Sequence, residues 1–309
     1  MTRALLITNP AAARTDARAV RGILDTLRSG GWTCDVQATT APGDARRIAR
    51  LARDEGVDVL VSYGGDGTAM QVAAGIVGTE IPLGIVPGGT GNLLAGNLRL
   101  PRDPIAAARL LLRGRPMPID LGAVERNGVL EYFAVCSGTG FDALLMAATP
   151  GVAKRRWKMG AYISRALLAL PAVESAVHRV TVDGTVHERP AAMVLIVNCG
   201  ELLPPFLRLH HAIAPNDGWL DVMTLDAQGT IQSLLAFLEL LRSSSRAGRR
   251  LWFARGRHVH VETVDGKGRP VQLDGDVSGV TPFEARLVPG ALSVLVDPAR
   301  VLQPSPARA

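Results

Sequence analysis

Between residues 4 and 113 short apolar runs alternate with segments of helical length, and after Pro118 that alternation stops. This change of rhythm limits the fold more than any other property of the sequence. Strands are expected at 4–8, 33–39, 57–63 and 82–86, and helices at 16–29, 44–55, 68–77, 91–98 and 103–112. Alternating segments of these lengths build a mostly parallel sheet covered by helices on both faces, an α/β architecture. In such sheets ligands sit at the carboxyl ends of the strands. Further on, strands follow one another at 119–125, 130–136, 178–182, 191–198, 219–225, 258–263 and 271–274, with helical stretches only near 154–170 and 230–244. Many short strands with Gly and Asp-Gly turns describe a largely antiparallel β-sandwich. The expected domains are therefore 1–118 and 119–289. The last apolar run, 291–296, is free to rejoin the first domain and bring 290–309 with it.

Composition narrows the class. With 47% hydrophobic and 20% charged residues the chain is too apolar for disorder. Mean hydropathy is high at +0.18, yet every apolar run is broken before the roughly 18 residues that a membrane-spanning helix needs. The first ten residues hold about four apolar positions before a polar stop, short of a signal peptide, so a cytoplasmic location is expected. Cys34, Cys136 and Cys199 show no CxxC spacing and read as reduced core residues. A net charge of +6 suits nucleic acid, an anionic membrane surface or a phosphorylated ligand alike. Because the basic residues spread over both halves and no basic, aromatic-rich reader motif appears, no nucleic-acid partner is expected.

Two loops carry the chemistry. The run 59–63 leads into Gly64-Gly65-Asp66-Gly67-Thr68 and then a helix. Glycines there permit positive φ and let backbone N–H groups converge on one spot, an anion nest at a helix N-terminus. Asp66 would repel a bare phosphate, so its presence argues for a nucleotide carrying Mg²⁺. Taken alone, a tight turn with Thr68 as helix cap describes this loop equally well. The run 83–86 leads into Pro87-Gly88-Gly89-Thr90-Gly91-Asn92 and again a helix. Consecutive strands of a parallel sheet bring both loops to one edge, which favours a phosphate site. Neither GxxxxGK[ST] nor a GxGxxG after the first strand is present.

Gly-Gly-Asp-Gly-Thr followed by Pro-Gly-Gly-Thr-Gly-Asn resembles the diacylglycerol kinase catalytic domain family, which includes bacterial lipid kinases, sphingosine kinases and ceramide kinases. Asn9-Pro10, the threonine-containing loop 39–45, Asn216-Asp217-Gly218-Trp219-Leu220-Asp221 and Leu273-Asp274-Gly275-Asp276 extend the resemblance along nearly the whole chain. It implies a three-layer α/β/α domain similar to those of NAD kinases and phosphofructokinases, joined to a C-terminal β-sandwich, with ATP and lipid meeting between them. The implied reaction is ATP- and Mg²⁺-dependent phosphorylation of a lipid hydroxyl, most simply diacylglycerol to phosphatidic acid. Position by position, the resemblance implies nucleotide contacts at Asn9, Thr40, Gly64, Gly65, Asp66, Gly67, Thr68, Gly89, Thr90 and Asn92. By topology Arg14 is the candidate cation facing the transferring phosphate, with a solvated loop arginine as the alternative. A structural Mg²⁺ is implied at Asp217 with the backbone oxygens of Ala214 and Trp219. The alternative for Asp217-Gly218 is a hairpin turn.

Two positions depart from the family. The proton acceptor, a Glu in the family, is here Asp276, one methylene shorter; Asp274 is the alternative base or magnesium partner. Met70 stands where Asn is common, and no polar contact is assigned to it. These departures leave open a catalytically impaired nucleotide- or lipid-binding regulator, and the shared first loop leaves open a soluble-substrate kinase of the NAD kinase type. Lys154-Arg155-Arg156-Trp157-Lys158, followed by an apolar run to 170, and the four arginines from Arg242 to Arg250 suit peripheral docking at the anionic inner face of the membrane. Solvated helix ends are the alternative for both. His210-His211 reads as ordinary histidines, and a homodimer through a sheet edge has no residue to name.

Overall fold

In the computed structural model the described residues are 1–140, 174–203, 207–209, 213–242 and 250–301. The 154–158 cluster, the apolar run after it, His210-His211 and most of 242–250 lie outside them. The chain divides into two compact units, Met1–Ile119 with Pro289–Gln303, and Asp120–Val288 with Pro304–Ala309.

The first unit is the parallel α/β domain. Strands β1 (Arg3–Thr8), β2 (Thr33–Ala38), β3 (Val59–Gly64) and β4 (Leu83–Pro87) alternate with helices α1 (Ala17–Ser29), α2 (Asp44–Asp54) and α3 (Asp66–Ile76). Two more helices follow, the short α4 (Leu93–Asn97) and α5 (Pro104–Arg113). Local signals set the ends: Asp16 caps α1 by accepting from the Ala19 amide at 2.7 Å, and Asp103 caps α5 just before Pro104. Strand order is β2-β1-β3-β4, every pairing parallel. On one face Leu6, Val61, Tyr63 and Val86 pack with Ile23 and Leu27 of α1 and Ala108 and Leu111 of α5. Because side chains alternate along a strand, Ile7, Leu60 and Ile85 face the other way, the side of the α2 and α3 pair, and are buried too. The sheet is completed from the far end of the chain, where β18 (Phe283–Val296) sets Val294 parallel to Leu83 of β4.

The second unit is antiparallel. One of its sheets contains β8 (Ala176–Val182), β9 (Thr185–Ala191), β15 (His258–Thr263) and the start of β18, together with the β5 (Arg115–Arg126) and β6 (Val129–Phe133) hairpin. The other runs β14 (Leu251–Gly256), β13 (Leu220–Leu225), β10 (Met193–Val197), β7 (Cys136–Gly140), β16 (Pro270–Leu273) and β17 (Asp276–Val280). Val180, Val259, Val261 and Phe283 of the first sheet meet Val194, Ile196, Val222 and Val271 of the second, giving a sandwich core. A short pair, β11 (Glu201–Leu203) with β12 (Leu207–Arg208), and a helix, α6 (Gly229–Arg242), complete the described elements. Three hairpins share one turn chemistry. Asn127-Gly128, Asp183-Gly184 and Asp274-Gly275 each join their strands in two residues, both at positive φ. That is the turn whose twist matches paired strands, and Asn/Asp followed by Gly is the sequence that tolerates it.

The structure corrects one expected strand. The run 130–136 is two strands in different sheets, β6 ending at Phe133 and β7 starting at Cys136. The cause is distant in sequence: the Asp274 carboxylate accepts from the amides of Ala134, Val135 and Cys136 at 2.7, 2.8 and 2.9 Å, withdrawing them from any one ladder.

Candidate active site

In the first unit the strand order reverses between β1 and β3, the position where open α/β sheets bind ligands. The residues that follow β1 and β3 are bound to one another there. The Asn9 amide donates to the Tyr63 carbonyl at 3.0 Å, and its side chain donates to Thr68 Oγ1 at 3.1 Å. The Tyr63 hydroxyl in turn donates to the Arg14 carbonyl at 2.8 Å, and the Arg14 amide to the Gly88 carbonyl at 2.9 Å. The Arg14 backbone is thus clamped between the two glycine loops while its side chain is exposed.

The loops meet backbone to backbone. Gly88 N–H donates to Gly64 O at 2.7 Å, and a Cβ at Gly89 would lie 2.6 Å from Gly65 Cα. A Cβ at Gly64 would lie 2.6 Å from Thr68 Oγ1. Positive φ was the expected use of these glycines, yet none in either loop adopts it; the residue that does is Asn92, at φ 51. At Gly89 and Gly64 glycine is required for space, since a side chain would run into the Gly65 backbone in the first case and into Thr68 in the second. Asn92 closes the second loop, accepting from Gly89 N at 2.9 Å and donating to Gly89 O at 2.8 Å.

The two helix starts differ. Helix α3 begins at Gly65 with no side chain capping it, which leaves a positive dipole end available to an anion. The start of α4 is taken by Asp66, whose Oδ1 accepts from Leu94 N at 3.1 Å. Burial raises the Asp66 pKa above the usual carboxylate range, while the amides of Leu93, Leu94 and Asn92 oppose that shift. Asp66 therefore ties the first loop to the helix that follows the second. Gly67 and Thr90 are exposed, whereas Thr68 and Gly89 are buried, as is Met70 at 8%. Thr40, after β2, donates through both its amide and its hydroxyl to Asp44 Oδ2, at 2.9 and 2.7 Å. Those bonds, the hydroxyl one first, hold the Asp44 carboxyl below its ordinary range.

In the second unit Asp274 and Asp276 sit two residues apart with different surroundings. Asp274 holds the three amides of 134–136 and has a part-buried carboxylate, whereas Asp276, the first residue of β17, is exposed. The 214–219 segment is a turn closed by Asp217, which accepts from Ala214 N at 3.3 Å and Trp219 N at 3.0 Å. The Asp217 side chain is 7% exposed, and burial pushes its pKa up to about 6, with Arg255 at 3.7 Å acting against the shift. Arg255 itself is bidentate to Asp221, at 3.0 Å on both oxygens. The Ala214 carbonyl accepts from Asp217 N at 3.3 Å. Among the described residues no three His, Cys, Asp or Glu side chains gather as a metal cluster.

Sequence reasoning missed Asp120 and Asn198. Asp120 Oδ2 accepts from Gly218 N at 2.8 Å, and Asn198 Nδ2 donates to the carbonyls of Asp120 and Ala134, both at 2.9 Å. Neither lies in a motif, and both act across more than 60 residues of chain.

Known proteins share this architecture. Residues 3–124 match the diacylglycerol kinase catalytic domain family, and residues 135–296 match the YegS C-terminal NAD kinase beta sandwich-like domain. The chain is 30% identical over 298 residues to a diacylglycerol kinase of Mycobacterium tuberculosis, covering 94% of this chain and 93% of that protein. It is 27% identical to a diacylglycerol kinase of Bacillus subtilis, with 92% and 93% covered. A solved diacylglycerol kinase structure from Bacillus anthracis superposes with a TM-score of 0.74 at 23% identity, covering 96% of this chain and 97% of that one, a likeness of fold.

Proposed function

The chain belongs to the diacylglycerol kinase family and is a kinase, and on that premise we propose that it transfers the γ-phosphate of ATP to the hydroxyl of a membrane lipid, with diacylglycerol as the substrate. The observation that carries the reading is the backbone contact of the two glycine loops beside the sheet's switch point, a cradle that a single Cβ would fill. Phosphoryl transfer needs alignment and charge neutralisation more than covalent help. The open start of α3 and the amides of both loops would receive the phosphates, and Arg14, anchored by its backbone and free to swing, would meet the transferring group. Asn9 and Thr68 hold the edges of β1 and β3 in register beneath them.

In the reaction a lipid oxygen forms a bond to the γ-phosphorus while the bond to the bridging oxygen breaks and ADP leaves. The hydroxyl proton passes to the exposed Asp276. Asp274 is positioned to shape the hairpin that presents Asp276, since its carboxylate is already hydrogen-bonded to three amides.

Mg²⁺, when bound, would neutralise charge on the phosphates. The residues fit such an ion: Asp66 keeps carboxylate lone pairs beyond its amide bonds, and Mg²⁺ is commonly held by one or two carboxylates, phosphate and water. At Asp217 a buried carboxylate 3.7 Å from the Arg255 guanidinium, beside an Asn216 Oδ1 that is buried without a partner among the described residues, suits a second, structural cation. Ala214 and Trp219 would add backbone oxygens.

The test is incubation with labelled ATP, Mg²⁺, NAD and a panel of lipids in mixed micelles, diacylglycerol, ceramide, a sphingoid base and phosphatidylglycerol among them. Labelled phosphatidic acid is the expected product. Label in NADP without any lipid product would sink the reading, and ATP binding without turnover would identify a regulator.

A further inference from the structure

Strand β17, which begins with Asp276, ends the second sheet and among the described strands pairs with β16 alone. That ladder is irregular. Leu273 lies opposite Asp276 and Gln272 opposite Val277, and the register then shifts before Pro270, which has no N–H to donate, meets Val280. Such an edge fixes a carboxylate poorly, and a misplacement of about 1 Å at a reacting group can slow a reaction by about 10²-fold. Further support reaches β17 from the opposite sheet. In the β5 and β6 hairpin side chains alternate between faces, and Val124 and Phe133 belong to the sandwich core. Two residues along from Val124 and two back from Phe133, the same face carries Arg126 and Glu131, with Val124 directly opposite Glu131 in the ladder. Where a sandwich strand would continue with apolar residues, this hairpin ends in a cation and an anion.

Both reach β17. The Glu131 carboxylate accepts from the Ser278 hydroxyl, and Arg126 Nη1 donates to the Val280 carbonyl at 3.4 Å. The guanidinium also lies against Gly279, which has φ 67 and where a Cβ would run into Nη1. On the other side of Asp276, the Asp274 carboxylate holds the amides of Ala134, Val135 and Cys136, just after β6. Asp276 therefore sits between two attachments to the same stretch of chain, one two residues before it and one two residues after. Stability alone does not account for Arg126. Its Nε and Nη2 are buried without a hydrogen-bond partner among the described residues, and burial lowers its pKa from the ordinary arginine value while the Glu131 carboxylate raises it. Buried N–H groups left without acceptors destabilise a fold, more so on a charged group. Residues that break this rule are expected where function demands a particular geometry.

We propose that Arg126 and Glu131 are positioning residues for phosphoryl transfer: from the hairpin of the opposite sheet they hold β17 so that the Asp276 carboxylate stands where the lipid hydroxyl gives up its proton. The inference rests on the lipid kinase reading and on Asp276 as its proton acceptor. Arg126→Met, Glu131→Ala and Ser278→Ala are compared with the wild-type protein in phosphorylation of diacylglycerol in mixed micelles, in thermal unfolding and in hydrogen exchange along 276–280. In each variant kcat should fall by about tenfold while KM for ATP stays within about twofold, and the 276–280 amides should exchange faster. Arg126→Met should unfold at or above the wild-type temperature, because it removes the unpartnered N–H groups at similar volume. Ser278→Thr, which keeps the hydroxyl, should retain wild-type turnover. In an Asp276→Ala background Ser278→Ala should lower turnover no further, since it acts through that carboxylate; an additive loss there overturns the proposal. Unchanged kcat in Arg126→Met and Glu131→Ala, with the wild type active, overturns it and leaves the kinase reading standing. A loss in which kcat, ATP affinity and unfolding temperature fall together assigns both residues to the fold at large and overturns it too. A wild-type protein that phosphorylates no lipid of the panel refutes the kinase reading, and the positioning role falls with it.

Discussion

Two aspartates separated by one glycine are expected to fail in opposite ways, and the hairpin they share gives the magnitudes. Asp274 Oδ2 accepts from Ala134 N and Oδ1 from Val135 N and Cys136 N, at 2.7 to 2.9 Å. A hydrogen bond to a charged group is worth about 1.5–3 kcal/mol net. The three are not additive, because the amides share one carboxylate and can partly recruit water, so Asp274→Ala should cost about 3–5 kcal/mol, less than three such bonds summed. At about 2–4 °C per kcal/mol for a domain of this size, calorimetry at pH 7 should show the transition fall by roughly 6–20 °C. Asp274→Asn separates charge from geometry. Its Oδ1 can still serve Val135 and Cys136, while its NH₂ group opposes the Ala134 N–H, so about half of the loss is expected. Asn also tolerates the positive φ of 47 at this position. Asp276→Ala, at an exposed site, should melt within about 2 °C of wild type yet lose turnover by about 10²-fold or more, as removal of a general base does. A melting temperature for Asp274→Ala within about 2 °C of wild type would refute the structural role given to its carboxylate. Full turnover in Asp276→Ala would refute the base.

Gly89→Ala should lower nucleotide affinity by about 10–100-fold in calorimetric titration with Mg²⁺-ATP, because the new Cβ would lie 2.6 Å from Gly65 Cα; unchanged affinity would mean that the loops do not form the cradle. His178, 1% exposed, is held below its ordinary pKa by burial. Below about pH 6.5 the unfolded chain takes up a proton that the folded state refuses. Stability should therefore fall as pH drops from about 7.5 to 5.5, seen as a declining urea midpoint, and His178→Phe should flatten that decline. Glu284 is held below its usual pKa first by the His258 ring nitrogen at 2.6 Å and then by Arg286. Its contribution is present above about pH 4.5 and lost as pH falls through the lowered value. With the carboxylate 36% exposed, Glu284→Gln should cost less than about 1 kcal/mol at pH 7, and less again in high salt.

What could be read in the sequence, and what could not, follows the range of the interactions involved. The first unit was legible because its strands are apolar runs buried on both faces and its helices carry their own caps, as Asp16 and Asp103 do. Strands β9, β14 and β17 were not, being polar or half-exposed elements at sheet edges whose pattern resembles loop. Strand β18 was seen only in its last six residues, 291–296, since Pro289-Gly290 interrupts it in sequence but not in space. The glycine loops stood out by composition alone. That they need room rather than positive φ depends on their approach across more than 20 residues, and the placement of Asp120 and Asn198 depends on partners 64 to 98 residues away. Asp66 was expected at a metal; its tie to the start of α4 becomes visible only when both loops are in place.

Strand β18 also dictates an order of events during synthesis. A ribosome releases the chain from its N-terminus, so β1 to β4 and their helices emerge long before Ala291, whose carbonyl accepts from Gly78 N at 3.1 Å, and Val294, which pairs with Leu83 of β4. Until then the Leu83–Pro87 strand, buried throughout in the finished protein, ends the nascent sheet as an open apolar edge, the kind of edge on which chains pair wrongly. The first unit thus matures last although it is made first. A polypeptide terminated before Leu292 should be retained by chaperones and precipitate, even though every residue of both glycine loops is present.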